Sequence, residues 1–286
     1  MNQDKYMTKE NYFPEWINEA EKLYKENLPY YKIAKELNVN RKTISFYLRK
    51  KGYQSNPKYV RNVDRNKLRK YDYSYAEHIF EKIDSEEKAY WLGFLYADGH
   101  ISSEKNEVAL CLKKEDKTHV ERFRSFFKLD AKKLFVKKKT INDKNYYSYR
   151  FALTNENIKN DLIKLGCLPR KTFILVFPSK KQVPEKYIKH FLRGYIDGDG
   201  CITTSKTSKI SLEILGTEKF LKGCLDWINI AGAKIYSFNH SEIKRIIFSG
   251  KNAVRILDEI YKNAHVFLER KHEKYLSLRR LVSKSA

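Results

Sequence analysis

Between residues 14 and 53 the apolar positions recur at helical spacing. Ile33, Leu37, Val39, Ile44 and Tyr47 fall where two crossed helices share a core, and Ala34 allows close contact. Asn38 occupies the turn between them, where Asn tolerates a left-handed backbone. Asn40 can cap the helix that follows. Pro14–Lys25 supplies a further helix, so the pattern predicts a small three-helix unit. The outward side of its last helix carries Arg41, Lys42, Ser45, Phe46 and Arg49.

From Ile83 onward helical and alternating patterns take turns to the end of the chain, and a repeat organises them. One copy runs Ala89-Tyr-Trp-Leu-Gly-Phe-Leu-Tyr-Ala-Asp-Gly-His-Ile101. The other, 101 residues later, runs His190-Phe-Leu-Arg-Gly-Tyr-Ile-Asp-Gly-Asp-Gly-Cys-Ile202. Each is followed by a predicted hairpin: His100–Ser103 with Glu107–Lys113, and Cys201–Thr204 with Lys209–Leu215. A helix comes next (Lys117–Lys128; Thr217–Ile230). A second hairpin follows (Leu134–Lys139 with Tyr146–Leu153; Lys234–Phe238 with Lys244–Phe248), then a closing helix (Asn155–Leu165; Asn252–Tyr261). The expected fold class is therefore α+β: two pseudo-symmetric αββαββα halves of antiparallel sheet, preceded by an all-α helix-turn-helix domain. The expected boundaries are 1–55 for the helical domain, 56–82 for a linker, 83–182 for half one and 183–286 for half two.

The repeated helix has a small-residue face. Gly93 and Ala97, and Gly194 and Gly198, are four apart and lie on one side. Two such faces let the helices pack side by side, while Trp91, Leu92, Phe94 and Leu95, and Phe191, Leu192, Tyr195 and Ile196, turn to each half's own core. Gly99 and Gly200 suit a left-handed residue after a helix end. Asp98 and Asp199 then lie close together at the base of the pair. Acids at helix C-termini are electrostatically unfavourable, and two together repel. A bound cation would compensate, and oxygen ligands select Mg²⁺ or a similar hard ion such as Mn²⁺.

Charge sharpens this picture. Lys and Arg total 58 against 35 Asp and Glu, a formal charge of +23, which points to a polyanionic partner, nucleic acid before a membrane surface. A carboxylate–cation site in such a protein suits phosphodiester hydrolysis. Residues 56–70 hold six Lys/Arg and one acid, a composition fit either to track phosphates or to be an exposed tether. The four cysteines (Cys111, Cys167, Cys201, Cys224) are far apart and in apolar surroundings, so buried free thiols are expected. The longest apolar run, Phe173–Phe177, is too short to span a bilayer, and no signal-peptide pattern opens the chain. A cytoplasmic location is expected, with an organellar or phage origin left open.

Ala89–Ile101 and His190–Ile202 resemble the paired motifs of the double-motif LAGLIDADG homing endonucleases, and the resemblance extends from Ile83 to about Leu281. It implies a monomer whose halves form a saddle of antiparallel sheets over double-stranded DNA with a long specific target. Cleavage of both strands would leave short 3′ overhangs. It implies that Asp98 and Asp199 are the metal-binding catalytic acids, and that Ala97 and Gly198 offer backbone carbonyls to metal. It also implies a basic residue at the edge of each site. Lys171 and Lys271, in matched Arg-Lys pairs after each half's last helix, are the candidates, with simple phosphate contact as the alternative. Two positions depart from the motif: Tyr96 stands where the other copy has Asp197, and Arg193 replaces a small residue.

If the saddle holds, outward strand residues should contact DNA: Lys137, Lys139, Tyr147, Tyr149, Lys206, Lys209, Asn239, Lys244 and Arg245. Residues 30–50 resemble the helix-turn-helix domains of recombinases and sigma-like factors, which implies that Arg41, Lys42, Ser45 and Arg49 enter a major groove. The chain does not finish in His-Asn, so a free-standing or intron-encoded nuclease is expected rather than an intein. Two other readings stay open: an RNA maturase assisting intron splicing, with RNA as partner, and a non-cleaving DNA-binding regulator.

Overall fold

A computed structural model describes residues 13–26, 28–53, 76–204, 210–237 and 241–284. The chain divides into two compact units, Met1–Lys70 and Tyr71–Ala286. Lys206, Lys209, Asn239 and the first part of the expected linker, 56–75, lie outside the described residues.

The smaller unit holds α1 (Ile17–Lys25), α2 (Tyr30–Glu36) and α3 (Arg41–Lys50). Ile17, Ala20, Ile33, Ala34, Ile44 and Leu48 form its core, with Leu37, Val39 and Tyr47 packed around them. The α2–α3 turn forms as the sequence predicts. Asn38 is left-handed at φ 50°, and the Asn40 side chain accepts from the Lys42 amide at 2.9 Å to cap α3.

The larger unit contains the repeat. Half one runs α4 (Glu86–Ala97), β1 (Gly99–Ile101), β2 (Glu107–Lys113), α5 (Lys117–Phe126), β3 (Phe135–Ile141), β4 (Lys144–Thr154) and α6 (Glu156–Lys164). Half two runs α7 (Glu185–Asp199), β5 (Gly200–Thr204), β6 (Ile210–Gly216), α8 (Glu218–Ile228), β7 (Ile235–Ser237), β8 (Lys244–Ser249), α9 (Lys251–Tyr261) and α10 (Glu269–Lys284). Each half builds one four-stranded antiparallel sheet, in the orders β1-β2-β4-β3 and β5-β6-β8-β7. The α+β duplication expected from the sequence is the observed architecture. The closing α10 was not anticipated. Ala76 and Phe80, assigned to the linker on sequence grounds, are fully buried in the core beside Ile83, so that stretch belongs to the packed unit.

One core spans both halves, and α4 and α7 run through its middle. Their contact explains the small-residue face. A Cβ on Gly93 would stand 1.9 Å from the Phe191 carbonyl oxygen, and one on Gly194 would stand 2.0 Å from that of Tyr90. Only hydrogen fits at either position. Gly99 and Gly200 are required for a different reason from the one expected. Neither is left-handed (Gly200 has φ −78°), but a Cβ on either would meet the carbonyl oxygen of Leu95 or Ile196, at 2.5 and 2.6 Å.

Candidate active site and nucleic-acid interface

Asp98 and Asp199 emerge at the base of the α4–α7 seam. Ala97 and Gly198 touch there: a Cβ on Gly198 would lie 2.3 Å from that of Ala97 and 3.5 Å from Asp98 Oδ2. The carboxylate of half one therefore lies against the residue preceding the acid of half two. Both side chains reach solvent, yet protein surrounds them on most sides. Asp199 is lifted to about 6, first by this desolvation and then by the Asp98 charge, with Lys171 and Lys271 opposing. Desolvation likewise raises Asp98, while Lys271, Lys171 and Arg270 pull it back.

The two lysines attach to equivalent atoms. Lys171 Nζ donates to the Gly99 carbonyl, and Lys271 Nζ donates to that of Gly200, 2.6 Å away. Lys271 goes further and also donates to Ile196 O and Gly198 O, both at 2.8 Å. It is only 6% exposed, and burial lowers it to about 8, so it remains an ammonium at neutral pH. Lys171 is half-buried in a short 3₁₀ turn, Lys171–Phe173, that follows a left-handed Arg170. The Gly198 carbonyl, expected to face a metal, is thus already an acceptor for Lys271.

The donor set tests whether a cation fits. Two solvent-reaching carboxylates converge, each raised chiefly by desolvation despite the nearby lysines, and the surrounding acceptors are backbone oxygens. An oxygen-only set of this kind suits Mg²⁺ or Mn²⁺. Among the described residues no group of three or more His, Cys, Asp or Glu side chains assembles, so any ion would rest on this pair, carbonyls and water.

The sign of the pH dependence follows from Asp199. Its folded value is raised, so its contribution favours the metal-free fold at low pH and is lost as pH climbs through about 6. Cation binding runs the opposite way, because below that value the ion must displace a proton. Excess Mg²⁺ is expected to raise the melting temperature fully above about pH 7 and progressively less below about pH 6. A metal-induced shift independent of pH would contradict this.

The departures from the repeat are structural. Asp197 is fully buried and accepts from Tyr90 Oη (2.8 Å), Tyr261 Oη (2.6 Å) and the Leu268 amide (2.7 Å). Its counterpart Tyr96 instead donates to the Leu165 carbonyl. Both tie a motif helix to the segment leading to its lysine, with hydrogen-bond polarity reversed. Arg193 bridges the two motif helices rather than disturbing their packing, since its partner Glu86 opens α4. It is fully buried, donates to Val266 O (2.9 Å) and Ile260 O (2.7 Å), and pairs with Glu86 at 2.6 Å. Two contacts that sequence reasoning missed bind the start of α10 to half one: Arg270 to both oxygens of Asp116 at 2.9 Å, and Arg122 to Glu269 at 2.7 Å.

Strand register sorts the expected DNA contacts. Cross-strand partners share a face. Lys137 pairs with Ser148 and Lys139 with Tyr146, on the face that also carries Lys113, Cys111 and Arg150. That face is open, as expected for Lys137 and Lys139. Tyr147 pairs with Lys138 and so stands on the opposite face, the one that continues into Tyr149 and Phe151. Tyr149 packs on the core. Lys244 likewise shares the helix-side face of the second sheet and pairs with Glu218 of α8. Arg245 is on the open face, 3.3 Å from Glu213. The register thus sets Tyr147, Tyr149 and Lys244 on the faces opposite the open-face cations, one residue of strand parity away from them. The same parity puts Cys111 and Cys201 on open faces, exposed, while Cys167 and Cys224 are buried as expected. In the smaller unit, Arg41, Lys42 and Arg49 are exposed on α3 and Ser45 is half-buried beside them. No described helix is long and apolar enough to cross a membrane.

No protein-family model and no curated protein matches the sequence. Solved structures similar to this chain include the meganuclease I-SmaMI bound to uncleaveable DNA, 10% identical, covering 69% of this chain and 91% of that one at a TM-score of 0.43. The LAGLIDADG meganuclease I-AabMI bound to uncleaved DNA is 13% identical over 68% and 90%, at a TM-score of 0.42. The I-LtrWI LAGLIDADG homing endonuclease bound to target DNA is 14% identical over 70% and 91%, at a TM-score of 0.44.

Proposed function

We propose that the chain is a site-specific DNA endonuclease of the homing type, hydrolysing phosphodiesters on both strands with Mg²⁺ or Mn²⁺ held by Asp98 and Asp199. The observation that carries this reading is the convergence of those two acids, one from each half, with an ammonium anchored beside each. The +23 charge and the cationic open face of the first sheet supply the attraction for a phosphate backbone.

In this reading Asp98 and Asp199 would hold a divalent ion, which would supply water activation and charge neutralisation at the phosphoryl oxygens. The chain's own residues do the rest. Asp98 and Asp199, one from each half, would be the ion's carboxylate ligands. Lys171, half-buried and with a single backbone acceptor described, faces the transition-state charge or orients the attacking water. Lys271, held by three carbonyls, fixes the chain from Ile196 to Gly200 and so places Asp199. Residues 1–55 act as a second DNA-binding module joined through a stretch that ends before the packed Ala76, and halves 83–182 and 183–286 act as one monomer. Such a tether lengthens the recognised site and adds affinity.

The direct test is incubation with Mg²⁺ and a random or host DNA library, followed by sequencing of the ends. The expected result is paired breaks within one sequence, with short 3′ overhangs. Scattered breaks, or none, would overturn the assignment.

A further inference from the structure

The outer face of α3 carries four cations, Arg41, Lys42, Arg49 and Lys50, and the helix has no acid at all. Amid them stands Phe46, 61% exposed. With Arg41, Lys42, Ser45 and Arg49 it lines one open surface depression. A large apolar ring set among cations on a helix is not accounted for by packing, because Ile44 and Leu48 already fill the core side. Nor is the ring left loose. It meets Tyr47 edge-on at 5.1 Å, and Tyr47 in turn meets Trp16 edge-on at 5.6 Å. Phe46 is thereby braced in the position where a partner would find it, and less freedom is lost on contact.

We propose that Phe46 reads the C5-methyl group of thymine in the major groove of duplex DNA. The proposal rests on the DNA-binding reading of the helical module and adds a base preference to it. The cations flanking the ring match the phosphates on either side of a groove. Within the groove thymine alone among the four bases offers an apolar group, and a Phe side chain is a recognised partner for it. Ser45 and Arg49, one and three residues away, are placed to contact neighbouring base edges. The choice of occupant is duplex DNA rather than RNA: the A-form major groove is too narrow for a helix, and uracil has no methyl group to meet.

The test needs no cleavage. The full-length protein selects binding sites from a random duplex pool in EDTA. Each thymine of the selected site is then replaced in turn by deoxyuridine, which removes only the methyl. The expected result is one or two positions, inside the stretch protected by residues 1–55, where this replacement weakens binding about three- to fivefold, the worth of one buried methyl. Phe46→Ala should bind the thymine site more weakly by a similar factor and no longer distinguish thymine from uracil there. Phe46→Leu, still apolar, should keep part of the preference. An identical uracil pattern for wild type and Phe46→Ala, or no sensitive thymine in the protected stretch, would overturn the proposal. Failure of the nuclease reading would show separately, as absent metal-dependent cleavage with the thymine preference intact.

Discussion

Asp98→Asn and Asp199→Asn will each abolish metal-dependent linearisation of a plasmid that carries the target, lowering the rate on the order of a thousandfold or more. Asparagine keeps the shape of the side chain and removes the charge. On the proposed function a divalent ion would be left with one carboxylate in place of two, and the neutral amide is a poor replacement for a hard anionic ligand. On the same proposal, DNA affinity in the absence of metal should hold or rise slightly, because a negative charge would leave a surface set against phosphates. Two physical readouts accompany the loss. With Asp98 neutral, its repulsion of Asp199 disappears, so Asp199 should titrate below about 6, which carboxyl NMR can follow. The metal-free protein should also melt at the same temperature or slightly higher, since a desolvated like-charge pair has been removed. Undiminished cutting in both variants would end the assignment of these acids.

The largest expected loss of stability lies in the helix seam. Gly93→Ala or Gly194→Ala puts a methyl 1.9 or 2.0 Å from a backbone carbonyl oxygen of the facing helix. Backbone cannot swing aside as a side chain can, so α4 and α7 must separate along a contact that runs through the shared core. A cost of about 3 kcal/mol or more is expected. In a unit of this size that lowers the melting temperature by roughly 6–12 °C. Gly232→Ala is the control. Its φ is +75° but nothing lies within 4 Å of an added methyl, so only the left-handed strain, about 1 kcal/mol, should appear. Calorimetry of the three variants separates the cases. Equal melting temperatures for Gly194→Ala and Gly232→Ala would mean that the two helices do not meet as described.

The duplication was legible because it is written twice. Two copies of a helix with small residues four apart, followed by the same order of alternating and helical segments, define the halves without any contact information. The acids followed, since helix geometry alone carries Asp98 and Asp199 to one end of the seam. The faces of the outer strands were not legible in the same way. Shifting a strand by one residue exchanges its two sides, and in the first sheet the register is set by a two-residue turn at Asn142 and Asp143, both left-handed (φ 47° and 58°). The Asn-Asp pair was visible in the sequence. Carrying the strands right up to it, rather than ending one at Lys139, aligns Tyr147 with Lys138 and removes it from the open face. Lys244 had a weaker signal, because its partner Glu218 lies on a helix well before it in the chain. The closing helix α10 was hidden by its composition: Tyr275 is the one side chain among its described residues that is both apolar and buried, so no stripe marks it. The role of Asp197 was out of reach for a similar reason, since its three donors come from α4, α9 and the segment before α10.

That carboxylate also makes the two halves depend on each other. One of its donors, Tyr90, belongs to the other half, and the equivalent residue 101 positions later is Phe191, which has no hydroxyl. A symmetrical pair assembled from two copies of half two would leave Asp197 short of that partner inside the interior. The ion pair from Glu86 to Arg193 crosses the same boundary, and Leu92 stands at the position matching Arg193. The halves are complementary rather than interchangeable: half two paired with a copy of itself would lose both the Tyr90 hydroxyl and the Glu86 carboxylate.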